Sequence, residues 1–247
     1  MKTSLGIPVA TATIVLGIGF LTPSSSSAAT AADAQLYEDF KQVEVASVAD
    51  AMEQLYGQRN YMMHSMRPLA PTKFAGPAVT VLLKKEEHKE GAKASQGMLD
   101  AIDAASAGSV YVMVLEDGED FAGIGGLMAT AMKARGLAGA IIDGGVRDLP
   151  QIQKIQFPIF SRSIVPSTTI NHYRFAGSNI AVICAGVRVA ANDIIVADLD
   201  GVAVVPREKA EEVLKKAQQL DNTEHSMIPY IEKLHSINEA VEKFGRI

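Results

Sequence analysis

From Phe74 to Asp143 the chain alternates between short apolar runs rich in β-branched residues and stretches with helical spacing, and this alternation narrows the fold more than any other feature. The run Phe74-Ala75-Gly76-Pro77-Ala78-Val79-Thr80-Val81-Leu82-Leu83 reads as a strand opened by Gly-Pro, with Lys84-Lys85-Glu86-Glu87 at its exposed end. A helical pattern over about 97–105 follows, then a strand over 110–115, a helix over about 127–135 and a strand over 138–143. Strands that alternate with helices in this way build an α/β domain.

The flanks extend that domain. Leu36, Phe40, Val43, Val48, Met52 and Leu55 recur at helical intervals, predicting an N-terminal arm of one helix or two short ones. Beyond Asp148 the apolar runs shorten to Pro158-Ile159-Phe160, 180–184, 194–197 and 202–205, with Asn192-Asp193 and Asp200-Gly201 as turns, so the second half reads as β-rich. Ile228, Ile231, Leu234, Ile237 and Val241 then form the apolar stripe of a C-terminal amphipathic helix, which needs a subunit neighbour or the chain's own core to cover it. With 247 residues, no repeat period and no linker-like tract, a single domain over 33–247 is expected.

The first residues read differently. Lys2, an apolar stretch from Ile7 to Leu21, Pro23, serines from Ser24 to Ser27 and small residues through Ala34 have the three-part layout of a secretory signal, ending near residue 32. The apolar stretch is shorter than the roughly 20 residues a bilayer-spanning helix needs, so the expectation is removal rather than a stable membrane anchor, and a periplasmic or secreted mature chain.

Charge and cysteine usage exclude several classes. A formal charge of −5, with acids and bases intermixed, provides no basic stripe for a nucleic acid. The single cysteine, Cys184, lies in the apolar run 180–184 and reads as a small buried hydrophobe. The five histidines include no pair at a zinc-binding spacing.

The chemistry concentrates between Phe121 and Asp148. Gly123, Gly125 and Gly126 precede a helix that continues through Leu127 and Met128 to Lys133, Arg135 and Gly136. Glycines there let a ligand approach the backbone, and the first-turn N–H groups, unpaired within the helix and at its positive end, suit a carboxylate or phosphate. The same glycines are also compatible with a plain tight turn, and Met128 breaks the dinucleotide-binding spacing. After the next strand, Gly144-Gly145 reads as a turn that presents Arg147 beside Asp148. That pair is either a solvated ion pair or a working one: a guanidinium fork for a carboxylate or keto oxygen, and a carboxylate for a hard divalent ion that takes its other ligands from water and substrate. Both elements fall at the C-terminal ends of neighbouring strands, where α/β proteins bind ligands.

The segment from Gly125 to Asp148 closely resembles the signature of the RraA-like family, which includes 4-hydroxy-4-methyl-2-oxoglutarate aldolase and oxaloacetate decarboxylase. The likeness continues through Phe74-Ala75-Gly76-Pro77-Ala78-Val79-Thr80 and Asp198-Leu199-Asp200-Gly201-Val202-Ala203-Val204-Val205-Pro206. It implies a layered α/β domain of the swivelling β/β/α type, assembled as a homotrimer or hexamer with the site between subunits. It further implies a lyase for a small α-keto acid that yields pyruvate. Backbone amides of Gly125, Gly126, Leu127 and Met128 would bind substrate, Arg147 would grip the keto oxygen and stabilise the enolate, and Asp148 would hold Mg2+ or Mn2+. Glu224 is the match for a glutamate that enters the site from the neighbouring subunit.

One position departs from the pattern. The active aldolases resemble one another in an Asp placed 21 residues before the Arg, and here that position is Gly126. General acid–base assistance typically contributes 10²- to 10⁴-fold. The acidic loop Glu116-Asp117-Gly118-Glu119-Asp120 is either a substitute source of that carboxylate or a solvated turn. The competing reading of the chain is therefore an exported binding protein that keeps the anion pocket without turnover. The ribonuclease E regulator role of some relatives is disfavoured by the export signal.

Overall fold

In the strand Val110–Leu115 all six side chains are buried, and they divide by parity: Val110, Val112 and Val114 face one hydrophobic cluster, Tyr111, Met113 and Leu115 another. The strand at Gly139–Val146 does the same with Ile141 against Ala140 and Ile142. A strand covered on both faces has no polar alternation, which is why these segments read as continuous apolar runs.

The computed structural model describes residues 31–70 and 72–245. The strands are β1 (Arg67–Pro68), β2 (Phe74–Lys85), β3 (Val110–Leu115), β4 (Ala122–Ile124), β5 (Gly139–Val146), β6 (Ile159–Ile164), β7 (Tyr173–Ser178), β8 (Val182–Cys184), β9 (Val187–Val189), β10 (Ile194–Asp198) and β11 (Gly201–Val205). The helices are α1 (Ala31–Phe40), α2 (Val45–Tyr56), α3 (Gln96–Ala104), α4 (Gly126–Ala134), α5 (Leu149–Ile155), α6 (Ala210–Leu234) and α7 (Ile237–Phe244). Of the segment read as an export signal, 1–30 lie outside the described residues.

A mixed, nearly closed sheet runs in the order β1-β6-β5-β3-β2-β10-β11. Its centre, β2-β3-β5-β6, is parallel, and β4 adds to β5 in parallel. The long β2 joins two layers: Phe74 to Pro77 pair with β10, while Val81 to Lys85 pair with β7, both antiparallel. Three cores result. One fills the space between the parallel strands and α3, α4 and α5. The second lies on the other face of those strands, closed by the β8–β9 hairpin, with Cys184 fully buried and burial pushing its thiol pKa up. The third holds α1, α2 and α6 against β10 and β11. The layered α/β architecture with an N-terminal helical arm and C-terminal helices is therefore present as expected, the arm being two helices joined by a short turn.

Several local expectations need correction. Gly144 and Gly145 are not a turn, because β5 continues through them to Val146. A Cβ on Gly145 would lie 2.5 Å from Val165 Cγ2 and 2.8 Å from the Phe121 carbonyl oxygen, so glycine is required by close approach within the sheet. The C-terminal apolar stripe belongs to two helices. α6 ends on His235, which adopts φ 53, and Ser236 starts α7 by accepting the Glu239 N–H. Ser236-Ile237-Asn238-Glu239 has the spacing of a capping box, a signal that the apolar periodicity masked. β4, β7, β9 and α5 are additional elements that short length or mixed polarity hid from the periodicity.

Candidate functional site

α4 begins where β4 ends, and β4 lies parallel to the end of β5, so the N-terminus of α4 and the Arg147-Asp148 loop emerge at the same edge of the sheet. The Arg147 N–H donates to the Ile124 carbonyl at 3.1 Å and closes the two segments together. Asp148 adopts the left-handed conformation, φ 58 and ψ 37, and is followed directly by α5 with Pro150 in its first turn. That turn sends the Asp148 carboxylate back towards α4, where Oδ2 accepts the Gly126 N–H at 3.0 Å. Asp148 thus satisfies one of the four N–H groups that a helix start leaves unpaired, in place of a local cap.

The direct contact within the Arg-Asp pair is loose. Arg147 Nε lies 3.9 Å from Asp148 Oδ2, with both side chains about half exposed, a geometry that contributes little as an ion pair. Arg147 is oriented instead by Ser167, whose carbonyl accepts from Nη1 at 3.2 Å. The Ser167 hydroxyl accepts the Ala122 N–H at 3.1 Å and donates to the Asp120 carbonyl at 2.8 Å, fastening that carbonyl to β4 and to the loop before it. Tyr173 stabilises the same loop from below, its hydroxyl donating to the Glu116 carbonyl at 2.8 Å and its pKa pushed up to about 12, chiefly by burial.

Gly125, Leu127, Met128, Arg147 and Asp148 all line one open cavity of about 370 Å³, together with Leu99, Ile102 and the exposed Asp103 of α3 and Ala131 of α4. A Cβ on Gly125 would lie 2.6 Å from Asp148 Oδ2 and 3.2 Å from Arg147 Nε, so a larger residue there would displace the ends of both side chains. Gly126 faces the other side of the α4 start, towards Thr130, Pro150 and Gln151. A Cβ on Gly126 would lie 2.8 Å from Gln151 Cγ, so the Gln151 side chain covers the space a larger residue would need.

Gly125, Leu127, Met128, Arg147 and Asp148 are thus brought together, whereas Gly126 faces away from their cavity. The Gly126 N–H is committed to Asp148, leaving Leu127 and Met128 to present first-turn amides to a ligand. Glu224, expected to enter the site of a neighbouring subunit, sits exposed on α6 and does not line the cavity of its own chain. The acidic loop does not line it either: Glu119 pairs with Arg162, and the Asp120 carbonyl binds Ser167. The second carboxylate on its lining, the exposed Asp103, carried no sequence signal, since an acid beside an apolar helical stripe is indistinguishable from a solvated one.

The donor set bears on the metal. Among the described residues no group of three or more His, Cys, Asp or Glu could hold an ion. Asp148 keeps Oδ1 without a hydrogen bond among those residues while Oδ2 is fixed by Gly126. A half-exposed, pre-oriented carboxylate of this kind fits a hard divalent ion that retains several waters and takes further oxygens from its substrate.

A nearly closed α/β sheet thus carries a glycine-rich helix start and an Arg-Asp loop side by side at one edge. The chain belongs to the RraA-like family, whose model, described as Aldolase/RraA, matches residues 45–204. A Halalkalibacterium halodurans protein provisionally named 4-hydroxy-4-methyl-2-oxoglutarate aldolase is 29% identical over 192 residues, 76% of this chain and 84% of that one. Among solved structures, a protein described with novel cellulases of gut-associated microbes has a TM-score of 0.75 at 27% identity, covering 82% of this chain and 90% of its own. The Streptomyces coelicolor RraAS2, described as an unusual member of the RNase ES inhibitor RraA family, has a TM-score of 0.69 at 26% identity, covering 78% and 95%. One backbone carries several described activities, so activity has to be argued from the site.

Proposed function

We propose that this protein is a divalent-metal-dependent lyase that cleaves a carbon–carbon bond of a small α-keto acid and releases pyruvate. The observation that carries the reading is the convergence of Arg147, Asp148 and the α4 N-terminus on one cavity of small-molecule size. Family membership and the name of the Halalkalibacterium relative support it.

In this reading the substrate carboxylate lies at the Leu127 and Met128 amides, where the helix dipole favours negative charge. Arg147, held in place by Ser167, donates to the keto oxygen and is strongest when that oxygen becomes an enolate. Asp148 holds Mg2+ or Mn2+, which when bound supplies Lewis-acid polarisation of the keto group. The bond between C3 and C4 breaks with its electron pair entering the C2–C3 enolate, and a proton at C3 completes pyruvate. In a retro-aldol cleavage the C4 hydroxyl proton must also leave, and Gly126 has no side chain to take it.

Assembly and location complete the proposal. A homotrimer or hexamer would bring Glu224 of one subunit to the cavity of another, and Leu127, 88% exposed on the cavity rim, is a side chain such a neighbour would cover. The mature chain would work outside the cytoplasm with no stable membrane anchor, and its net charge favours a small molecule over nucleic acid as partner. Gly126 favours a second reading, an exported binding protein that keeps the anion and metal pocket without turnover.

The deciding experiment measures pyruvate release from oxaloacetate, 4-hydroxy-4-methyl-2-oxoglutarate and 4-hydroxy-2-oxopentanoate with Mg2+, with Mn2+ and with EDTA. Turnover of any of them above the metal-only blank, lost in Arg147→Ala and in Asp148→Ala, is the expected result. Absence of turnover together with retained binding of pyruvate would leave the binding protein standing instead.

A further inference from the structure

Two cavities meet at Asp148. The first holds Arg147 and the first-turn amides of α4. The second, of about 410 Å³, lies on the other side of the α4 start and is lined by Gly126, Leu127, Thr130, Asp148, Pro150 and Gln151. Leu127 and Asp148 belong to both, so a substrate held by its keto acid head at Arg147 and Asp148 extends its C3–C4 bond towards one or the other.

Proton acceptors are scarce around them. Among the described residues lining the two cavities, the ionisable side chains are Arg147, Asp148 and Asp103. Arg147 stays protonated. Asp148 gives Oδ2 to the Gly126 N–H and, in the reading proposed above, Oδ1 to the metal. Asp103 is exposed on α3 and lines the first cavity alone. In the second cavity the Thr130 hydroxyl donates to the Gly126 carbonyl at 2.7 Å, and the Gln151 side chain ends in a neutral amide. Gln151 also covers the place where a side chain on residue 126 would stand, since a Cβ there would lie 2.8 Å from Gln151 Cγ. An amide side chain thus takes the space beside Asp148 in which an acid could work as a base.

We infer that this site makes the pyruvate enolate by loss of CO2 and not by removal of a proton, with Gly126 and Gln151 as the residues that set the choice. The inference rests on the α-keto acid reading and narrows it from carbon–carbon cleavage in general to β-decarboxylation. In that reaction the C3–C4 bond breaks, its electron pair becomes the C2–C3 double bond as the keto oxygen takes the charge, C4 leaves as CO2, and a proton from water at C3 completes pyruvate. No proton has to be removed before the bond breaks, so charge stabilisation at the keto oxygen by Arg147 is the help this step needs from the chain. Two related reactions do need a proton taken away. Retro-aldol cleavage must lose the C4 hydroxyl proton, and exchange of the pyruvate methyl hydrogens must lose one from C3. General acid–base assistance is typically worth about 10²- to 10⁴-fold, and these two reactions forgo it here.

The test runs three reactions on the purified protein with Mg2+, each against a metal-only blank: decarboxylation of oxaloacetate, cleavage of 4-hydroxy-4-methyl-2-oxoglutarate, and exchange of the pyruvate methyl hydrogens in D2O followed by NMR. Calorimetry measures pyruvate binding under the same conditions. We expect pyruvate to bind and yet keep its methyl hydrogens at the blank rate, decarboxylation to exceed its blank, and retro-aldol cleavage to be at least about a hundredfold slower than decarboxylation. Gly126→Asp combined with Gln151→Ala is expected to raise both exchange and retro-aldol cleavage at least about tenfold. A folded double variant with no gain would overturn the role given to Gly126 and Gln151. Exchange above the blank, or a retro-aldol rate less than about a hundredfold behind, in the unmodified protein would overturn the inference while leaving the lyase reading intact, and loss of that activity in Asp103→Asn would assign the base to Asp103. Pyruvate binding without decarboxylation would overturn the inference in favour of the binding protein. Neither binding nor turnover would overturn the α-keto acid reading and this inference with it.

Discussion

Asp148 Oδ2 accepts the backbone N–H of Gly126 at 3.0 Å across 22 positions of sequence, so the loop after β5 caps the helix after β4. The same carboxylate is the proposed metal ligand, which makes it structural and functional at once. Asp148→Ala is therefore expected to abolish Mn2+-dependent ligand binding and also to lower stability by about 1 kcal/mol, the usual loss for a helix cap. Denaturant titration alongside metal calorimetry separates the two effects. Full stability with lost binding would show that the capping contact contributes nothing.

Gly126 is backed by Gln151, so a carboxylate cannot simply be restored there. Gly126→Asp alone is expected to destabilise by about 1–3 kcal/mol through overpacking against Gln151 Cγ. Combined with Gln151→Ala, which removes the Cγ at 2.8 Å and leaves Gln151 Cβ at 3.1 Å, the same substitution is expected to recover part of the stability and raise retro-aldol turnover. No gain in the double variant would show that proton transfer at this position does not limit the reaction.

Ser167 positions Arg147 without reaching the cavity. Its carbonyl accepts from the guanidinium, and its hydroxyl fixes that carbonyl through Ala122 and Asp120. Ser167→Ala removes the hydroxyl and frees the loop, with an expected loss of about 0.5–1.5 kcal/mol in the interaction it holds, or roughly two- to twelvefold. The loss should fall on kcat more than on KM, because Arg147 acts most strongly on the enolate, and Ser167→Thr should rescue it. An equal loss of stability and activity, with no rescue by threonine, would point to a purely structural role.

Arg174 bridges Glu86 and Glu90, donating from Nε at 2.6 Å and from Nη1 at 3.0 Å, and the hydrogen bond to Glu90 lowers the pKa of that carboxyl below its ordinary 4.5. A carboxylate whose folded pKa is lowered contributes stability above its unfolded pKa and loses it as pH falls through the folded value. Glu90→Gln should therefore melt slightly below the unmodified protein near neutral pH, and the two should converge as the pH falls below the lowered pKa of Glu90. Because the pair is exposed, the difference should also shrink in high salt. A difference that persists under acid would assign it to packing.

How much of this was legible in advance differs from element to element. The strands β2, β3 and β5 and the helices α3 and α4 were readable because burial on both faces, or amphipathic spacing, leaves a mark within ten or so consecutive residues. α5 and β7 left no such mark: α5 is about two turns long with a single buried residue, Ile152, and β7 is mostly half-buried. Gly144-Gly145 misled because a glycine required by close packing and a glycine required by a turn are the same letter.

The site divides along the same line. The sequence alone determined the α/β class, the glycine-rich helix start and the adjacent Arg147 and Asp148, since each depends on residues near one another in the chain. Only the tertiary structure decided that Asp148 caps α4, that Gln151 fills the space beside Gly126, that Ser167 aims Arg147, and that Asp103 rather than the 116–120 loop shares their cavity. Each of those contacts joins segments that neighbouring positions do not constrain. Strand order and helix packing set the distances between them, and no periodicity in the chain encodes such distances.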